Sequence, residues 1–263
     1  MYRGIIDTHA HMDDPCFAGK LDEVLASEKE KGVEMIIQSG SELPSSRRSA
    51  ELAEKYDIFT ASVGVYPNEA AGVPKNYIEI LRGLASGKRV VAIGEIGMDF
   101  GYENHPPKDI QEKVFREQLS LASELGLPVV IHDRDADEDV IRILRDYPGV
   151  CGCIHRVFSQ LKYTRIFLEM GLYMGIGPQI TYPGGKKLKD LVREMPVDRI
   201  VFETDAPFLP TYGLGKVDAV PSMIADAAEA AAGIRGDITP QELILEARGN
   251  ARRLFSLPIP EKI

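Results

Sequence analysis

Short apolar runs alternate with longer amphipathic stretches from one end of the chain to the other. The apolar runs predict eight strands, at 4–8, 35–39, 58–64, 90–95, 128–132, 152–155, 173–176 and 200–205. Between them lie stretches such as 109–125, where Phe115, Leu119, Ala122 and Leu125 recur at helical spacing. The segments 21–31 and 137–146 carry the same signal, and so does the alanine-rich stretch around 227–232, which Asp226 and Glu229 mark as a soluble helix. Gly126 directly follows Leu125 and fits a helix C-cap, while Pro128 opens the next strand. Strands that are apolar on both faces and separated by helices imply a parallel sheet. Eight strand–helix repeats favour closure into an α/β barrel of the (β/α)8 TIM type, with an open doubly wound sheet as the competing arrangement. No Gly/Ser/Pro-rich linker divides the chain, so residues 1–263 are expected to form a single barrel domain. The longest loops, 101–108 and 209–221, each follow a strand and so fall on the face where barrel active sites form.

A length of 263 residues is long for an ordinary domain and normal for such a barrel. The formal net charge of −9 argues against broad, non-specific binding to a nucleic-acid backbone but leaves room for a local phosphate site. Three cysteines, an odd number, do not read as a disulfide framework, which points to a reducing compartment. There is no signal-peptide pattern ahead of the first strand and no stretch of about 18 uncharged apolar residues. The expectation is a soluble cytoplasmic protein with no membrane association and no evident protein partner.

Four of the five histidines sit at the ends of apolar runs. His9 and His11 follow Ile5 and Ile6 two residues apart, so on a strand they share a face and can grip one metal ion. His132, His155, Glu95 and Asp205 end other predicted strands. Parallel strands carry their C-terminal ends to one rim, so these six residues are expected to meet at one barrel mouth. Imidazole nitrogen and carboxylate oxygen suit divalent ions such as Zn, Mn, Fe or Mg. Six donors exceed one four-coordinate ion and suit two ions that share a carboxylate, with Glu95 the natural bridge. Asp205 is the expected acceptor of the water proton. Two ions ligated by only two carboxylates leave a positive centre, which favours an anionic substrate.

Around this set, Asp7 is expected to hydrogen-bond backbone and Glu203 to support Asp205 from one layer deeper. Cys151 and Cys153 read as small core residues, and His105 as an exposed loop residue. Arg134, two residues after His132, is expected either to grip a phosphate or to pair with Asp133, Asp135 or Asp137.

Several segments resemble the TatD-type metal-dependent deoxyribonucleases of the amidohydrolase superfamily. They are 7–14 (DTHAHMDD), 92–100 (AIGEIGMDF), Gln118 with 127–134 (LPVVIHDR), Ile154-His155, 173–177 (YMGIG), 203–209 (ETDAPFL) and 250–255 (NARRLF). They span nearly the whole chain. The resemblance implies a barrel hydrolase with one or two divalent ions, whose ligands fall on His9, His11, Glu95, His132, His155 and Asp205. It also implies DNA ends as the substrate. The chain departs from the family at Tyr66-Pro67-Asn68, where relatives carry two histidines used for substrate phosphate. It also departs after His155, where the segment is one residue longer, and in 214–221, which lacks the family's Arg and Asn.

The leading expectation is therefore metal-dependent phosphodiester hydrolysis by Asp205 and Glu95 with metal-activated water, acting on DNA ends or a small anionic substrate. Arg134 and Arg156 are expected to bind the anion in place of the missing histidines. The alternatives are hydrolysis of an amide, ester or small phosphoester on the same centre, and a non-catalytic metal-binding protein.

Overall fold

The structure, a computed structural model, describes residues 2–259. The parallel strands β1 (Ile5–Ala10), β2 (Val33–Ser39), β3 (Phe59–Val63), β4 (Val90–Asp99), β5 (Val129–Arg134), β6 (Gly152–His155), β7 (Tyr173–Ile176) and β8 (Ile200–Phe202) follow chain order in the sheet. Helices α1 (Leu21–Glu30), α2 (Leu43–Lys55), α3 (Tyr77–Ala85), α4 (Lys108–Leu125), α5 (Asp137–Leu144), α6 (Leu161–Glu169) and α7 (Lys186–Glu194) connect successive strands, and α8 (Ile224–Arg235) and α9 (Pro240–Phe255) follow β8. The chain clusters into two compact units, one of Met1–Gln38 with Met174–Ile263 and the other of Ser39–Tyr173.

In the first unit, β1 pairs with β2, and β7 pairs with β8. Past the end of β8, the Asp205 N–H donates to the His9 carbonyl at 2.8 Å and the His11 N–H to the Ala206 carbonyl at 2.7 Å. Every residue of β1 is buried, including Asp7, Thr8 and His9. The helix α9 opens on a reciprocal capping box, with Thr239 Oγ1 accepting from the Glu242 N–H and the Glu242 carboxylate accepting from the Thr239 N–H.

In the second unit, β3, β4, β5 and β6 pair in sequence. The helix α4 ends at Gly126 in the left-handed region, φ 65°, as its sequence anticipates. Strand β4 runs four residues beyond its expected end at Glu95, to Asp99. Gly97 permits the extension. It lies opposite His132 in the β4–β5 register with φ 141°, and a Cβ there would sit 2.0 Å from the His132 carbonyl oxygen. Glu95 is therefore an interior strand residue rather than a strand end, and it falls where the β4–β5 register shifts between Ile93 and Ile96.

Candidate functional site

The first unit brings three of the expected ligands together. His9 and His11 share a face of the chain leaving β1, and their Nε2 atoms stand 3.1 Å apart. Asp205 Oδ1 lies 3.7 Å from His9 Nε2 and 3.5 Å from His11 Nε2. One donor atom from each of the three lies within 4.8 Å of the others. Asp205 is not on β8 but three residues past its end, in the left-handed region at φ 59°. That conformation costs a residue with a Cβ roughly 1–2 kcal/mol, least for Asp and Asn, and the hydrogen bond to the His9 carbonyl holds it.

Asp7 ties the two segments together. Its Oδ1 accepts from the His9 N–H at 3.1 Å and the Thr204 N–H at 3.0 Å, and its Oδ2 accepts from the Thr204 hydroxyl. Burial pushes its carboxyl up to about 8, against these hydrogen bonds and with help from the Glu203 charge. The sequence expectation for Asp7 holds. Glu203 is buried with its carboxylate against Gly175, where a Cβ would come within 2.4 Å of Oε2. After His11, Gln38 accepts from the Met12 N–H at 2.7 Å and donates to Asp13 at 2.8 Å, which fixes the chain beyond the ligand.

The second unit gathers Glu95, His132 and His155 with two residues that sequence reasoning did not place there. His132 Nδ1 lies 2.8 Å from Glu95 Oε1, and His155 Nε2 lies 3.8 Å from the same oxygen. His132 Nε2 lies 3.0 Å from Asp99 Oδ2, which also accepts from the Tyr66 hydroxyl at 2.5 Å. Burial works to lower the His132 imidazolium, but the Asp99 and Glu95 carboxylates raise it to about 9. Burial raises the Asp99 carboxyl, and hydrogen bonds from His132, Tyr66 and the Gly101 N–H bring it down to about 2. Burial and the Asp99 hydrogen bond hold the Tyr66 phenol well above its ordinary value, so it stays a donor. Asp99 was legible in principle, since Glu95, Gly97 and Asp99 alternate onto one face of a strand.

The remaining sequence candidates fall as follows. The Arg134 guanidinium lies over the Tyr102 ring, 4.5 Å from its centroid, and not in an ion pair with Asp133, Asp135 or Asp137. Asp133 instead carries a carboxyl raised by its burial and by the Asp137 charge. Arg156 is exposed and adopts φ 48°, turning the chain directly after His155. Cys153 is buried as expected, whereas Cys151 precedes β6 and is exposed. His105 is partly buried, not exposed, with its ring 5.3 Å from that of Phe100.

Two imidazoles and a carboxylate within reach of one another in the first unit are a donor set suited to a divalent ion such as Zn or Mn. In the second unit the Glu95 carboxylate and the His155 imidazole are donors of the same kind, whereas both His132 ring nitrogens face carboxylates. His132 in its protonated state cannot donate a lone pair, so ion binding there must displace a proton. No helix of the described residues is long and apolar enough to cross a membrane.

A family model described as "TatD related DNase" matches residues 6–256. YabD of Bacillus subtilis, named as an uncharacterized metal-dependent hydrolase, is 35% identical over 255 residues, covering 96% of this chain and 99% of its own. The Klebsiella pneumoniae protein named 3'-5' ssDNA/RNA exonuclease TatD is 30% identical over 264 residues, covering 97% of this chain and 99% of that protein. The crystal structure of YjjV, a TatD homologue from Escherichia coli, matches with a TM-score of 0.92 at 29% identity, over 98% of this chain and 100% of that one. Strand order, alternating helices and this match make the fold a (β/α)8 barrel of the TIM type.

Proposed function

The chain belongs to the TatD family of metal-dependent hydrolases, and on that premise we propose that it hydrolyses phosphodiester bonds at the ends of DNA. The observation that carries the proposal is the set of His9 Nε2, His11 Nε2 and an Asp205 carboxylate oxygen within 4.8 Å of one another. His9, His11 and Asp205 would hold one divalent ion, and Glu95, His132 and His155 would supply donors for a second, in a chain read as a single barrel domain spanning 1–263. When bound, such ions polarise a phosphoryl oxygen and acidify water. The Asp205 carboxylate accepts the proton of the attacking water, and Asp7 and Glu203 keep Asp205 in place. Asp99 holds the His132 imidazole on one side and is itself held by the Tyr66 phenol. Counting Asp99 with Glu95 and Asp205, three carboxylates against two divalent ions still leave a positive centre, which suits a phosphodiester anion. Arg134 and Arg156 are the candidates for gripping a non-bridging phosphate oxygen. A cytoplasmic location fits a chain with three cysteines and no disulfide among the described residues.

One observation favours a second reading. Tyr66 turns its hydroxyl to Asp99 instead of offering a cationic ring to phosphate, which is compatible with hydrolysis of another ester or an amide on the same donors. A screen separates the two. Protein stripped with EDTA and resupplied with Mn, Zn or Mg is offered single- and double-stranded DNA, RNA, small phosphodiesters, carboxylic esters and amides. Ion-dependent release of nucleotides from DNA ends is the expected result. Ester or amide turnover with intact DNA would favour the second reading.

A further inference from the structure

Beside His11 lies a patch that the chemistry above does not use. Phe208 is 50% exposed, yet its ring centroid is only 6.0 Å from that of His11. Tyr212 is 59% exposed and its ring lies tilted against that of Tyr182, with centroids 5.8 Å apart. Exposed aromatic rings usually belong to slack loops, but this segment is held. The Phe208 N–H donates to the Asp205 carbonyl at 2.9 Å, the Tyr182 hydroxyl to the Pro210 carbonyl at 3.0 Å, and the Tyr212 N–H to Thr181 Oγ1 at 2.9 Å. The rings are thus presented to solvent on a fixed backbone, next to a metal-ligating histidine.

Positive charge accompanies them in a chain of net charge −9. Four residues after Tyr182, α7 opens on Lys186 and Lys187, with no acidic residue in its first turn. Cations at a helix N-terminus oppose the macrodipole, so the helix itself gains nothing from them. Together with the unsatisfied N–H groups of that terminus they attract phosphate. Neither lysine enters an ion pair among the described residues.

We propose that Phe208 and Tyr212 form a stacking platform for the unpaired terminal base of a single-stranded nucleic acid, with Lys186 and Lys187 supplying charge to its phosphates. The proposal deepens the nuclease reading and rests on it for the identity of the occupant. A folded partner or a second copy seated on Phe208 would cover His11, so the occupant has to be something the reaction admits. A nucleobase fits, because every base offers a π-face on which an aromatic ring can stack. A phosphate beside His11 and Asp205 then carries its own base towards Phe208.

The test uses the full chain supplied with Mn, and single-stranded oligonucleotides that carry 2-aminopurine as the terminal base at either end and a non-hydrolysable, still anionic methylenephosphonate in place of the terminal phosphodiester. Stacking quenches this fluorophore. Wild type should quench it at one end, and an oligonucleotide ending in an abasic residue should compete roughly tenfold less well. F208L removes the π-face from an exposed position and should lose both the quenching and the preference for a terminal base. F208W should keep both. Wild type without quenching, or F208L binding and quenching like wild type, would overturn the platform. Cleavage of the corresponding unmodified oligonucleotides with supplied ions separates the two readings. Quenching without cleavage by any ion leaves the platform standing and removes the nuclease reading. Cleavage without quenching does the reverse.

Discussion

The Tyr66 hydroxyl donates to Asp99 Oδ2 at 2.5 Å, and that same oxygen stands 3.0 Å from His132 Nε2. One buried carboxylate therefore orients a metal-ligand candidate on one side and is itself oriented by a neutral phenol on the other. Tyr66→Phe keeps the ring in its edge contact with His132, 4.7 Å between centroids, and deletes only the donor. A hydrogen bond to a charged buried acceptor contributes about 1.5–3 kcal/mol. The variant should lose about that much stability in urea titration, and the Asp99 carboxyl should rise from its value of about 2. An unchanged urea midpoint would show that the phenol does not support Asp99.

Tyr66 also shows where a sequence stops being legible. Read by type, it stands for an absent histidine. Its role depends on Asp99, which sits 33 residues away and four residues past the expected end of β4. The extension was hidden because Gly97 contributes no apolar side chain to the run, though its missing Cβ is what lets β4 pass His132. By contrast β6 and β7 have the bounds their apolar runs imply, and β1 differs from expectation only by one residue at its start and two at its end. The spacing of His9 and His11 gave their shared face directly, since alternation is a local property. Asp205 is legible as a ligand candidate but not as a left-handed residue beyond a three-residue strand. The capping box of Thr239 and Glu242 announces the start of α9 within four residues.

Asp7 joins the His9 and Thr204 backbones through buried hydrogen bonds. Asp7→Ala leaves both N–H groups buried without an acceptor, at about 1–3 kcal/mol each. Asp7→Asn retains an acceptor oxygen and removes a carboxyl that burial already holds at about 8. Thermal unfolding should show a large loss for Ala and little or none for Asn, with metal affinity weakened in Ala alone. Equal losses in the two variants would contradict this account of Asp7.

In the ion-free protein, stability should depend on pH through His132 and Asp99. His132 in the folded state titrates at about 9, above the 6.5 of a free imidazole, so the folded state binds more protons in between. Its contribution is complete below 6.5 and is lost as pH rises through 9. Asp99 at about 2 lies below the ordinary 3.8, so its contribution is complete above 3.8 and is lost as pH falls through 2. Ion uptake should run the other way, tightening from pH 6 to 9 as the His132 proton becomes easier to displace. Calorimetry in buffers of different ionisation enthalpy measures that proton. Uptake with no proton released at pH 7 would place His132 outside the ligand set.

Asp205→Asn keeps an oxygen for an ion but cannot accept the proton of the attacking water. It should retain bound ion while turnover falls by about 10²–10⁴. A variant close to wild-type turnover would move the proton acceptor elsewhere, with Glu203 the next residue to replace.

The central claim is that these histidines and carboxylates bind divalent ions. Its most direct test is the bound-ion count by native mass spectrometry, on protein purified without chelator and again after reconstitution with Mn or Zn. The account predicts one to two ions per chain, one of them lost selectively in His155→Ala and the other in His11→Ala. A chain that carries no ion even after reconstitution would contradict it.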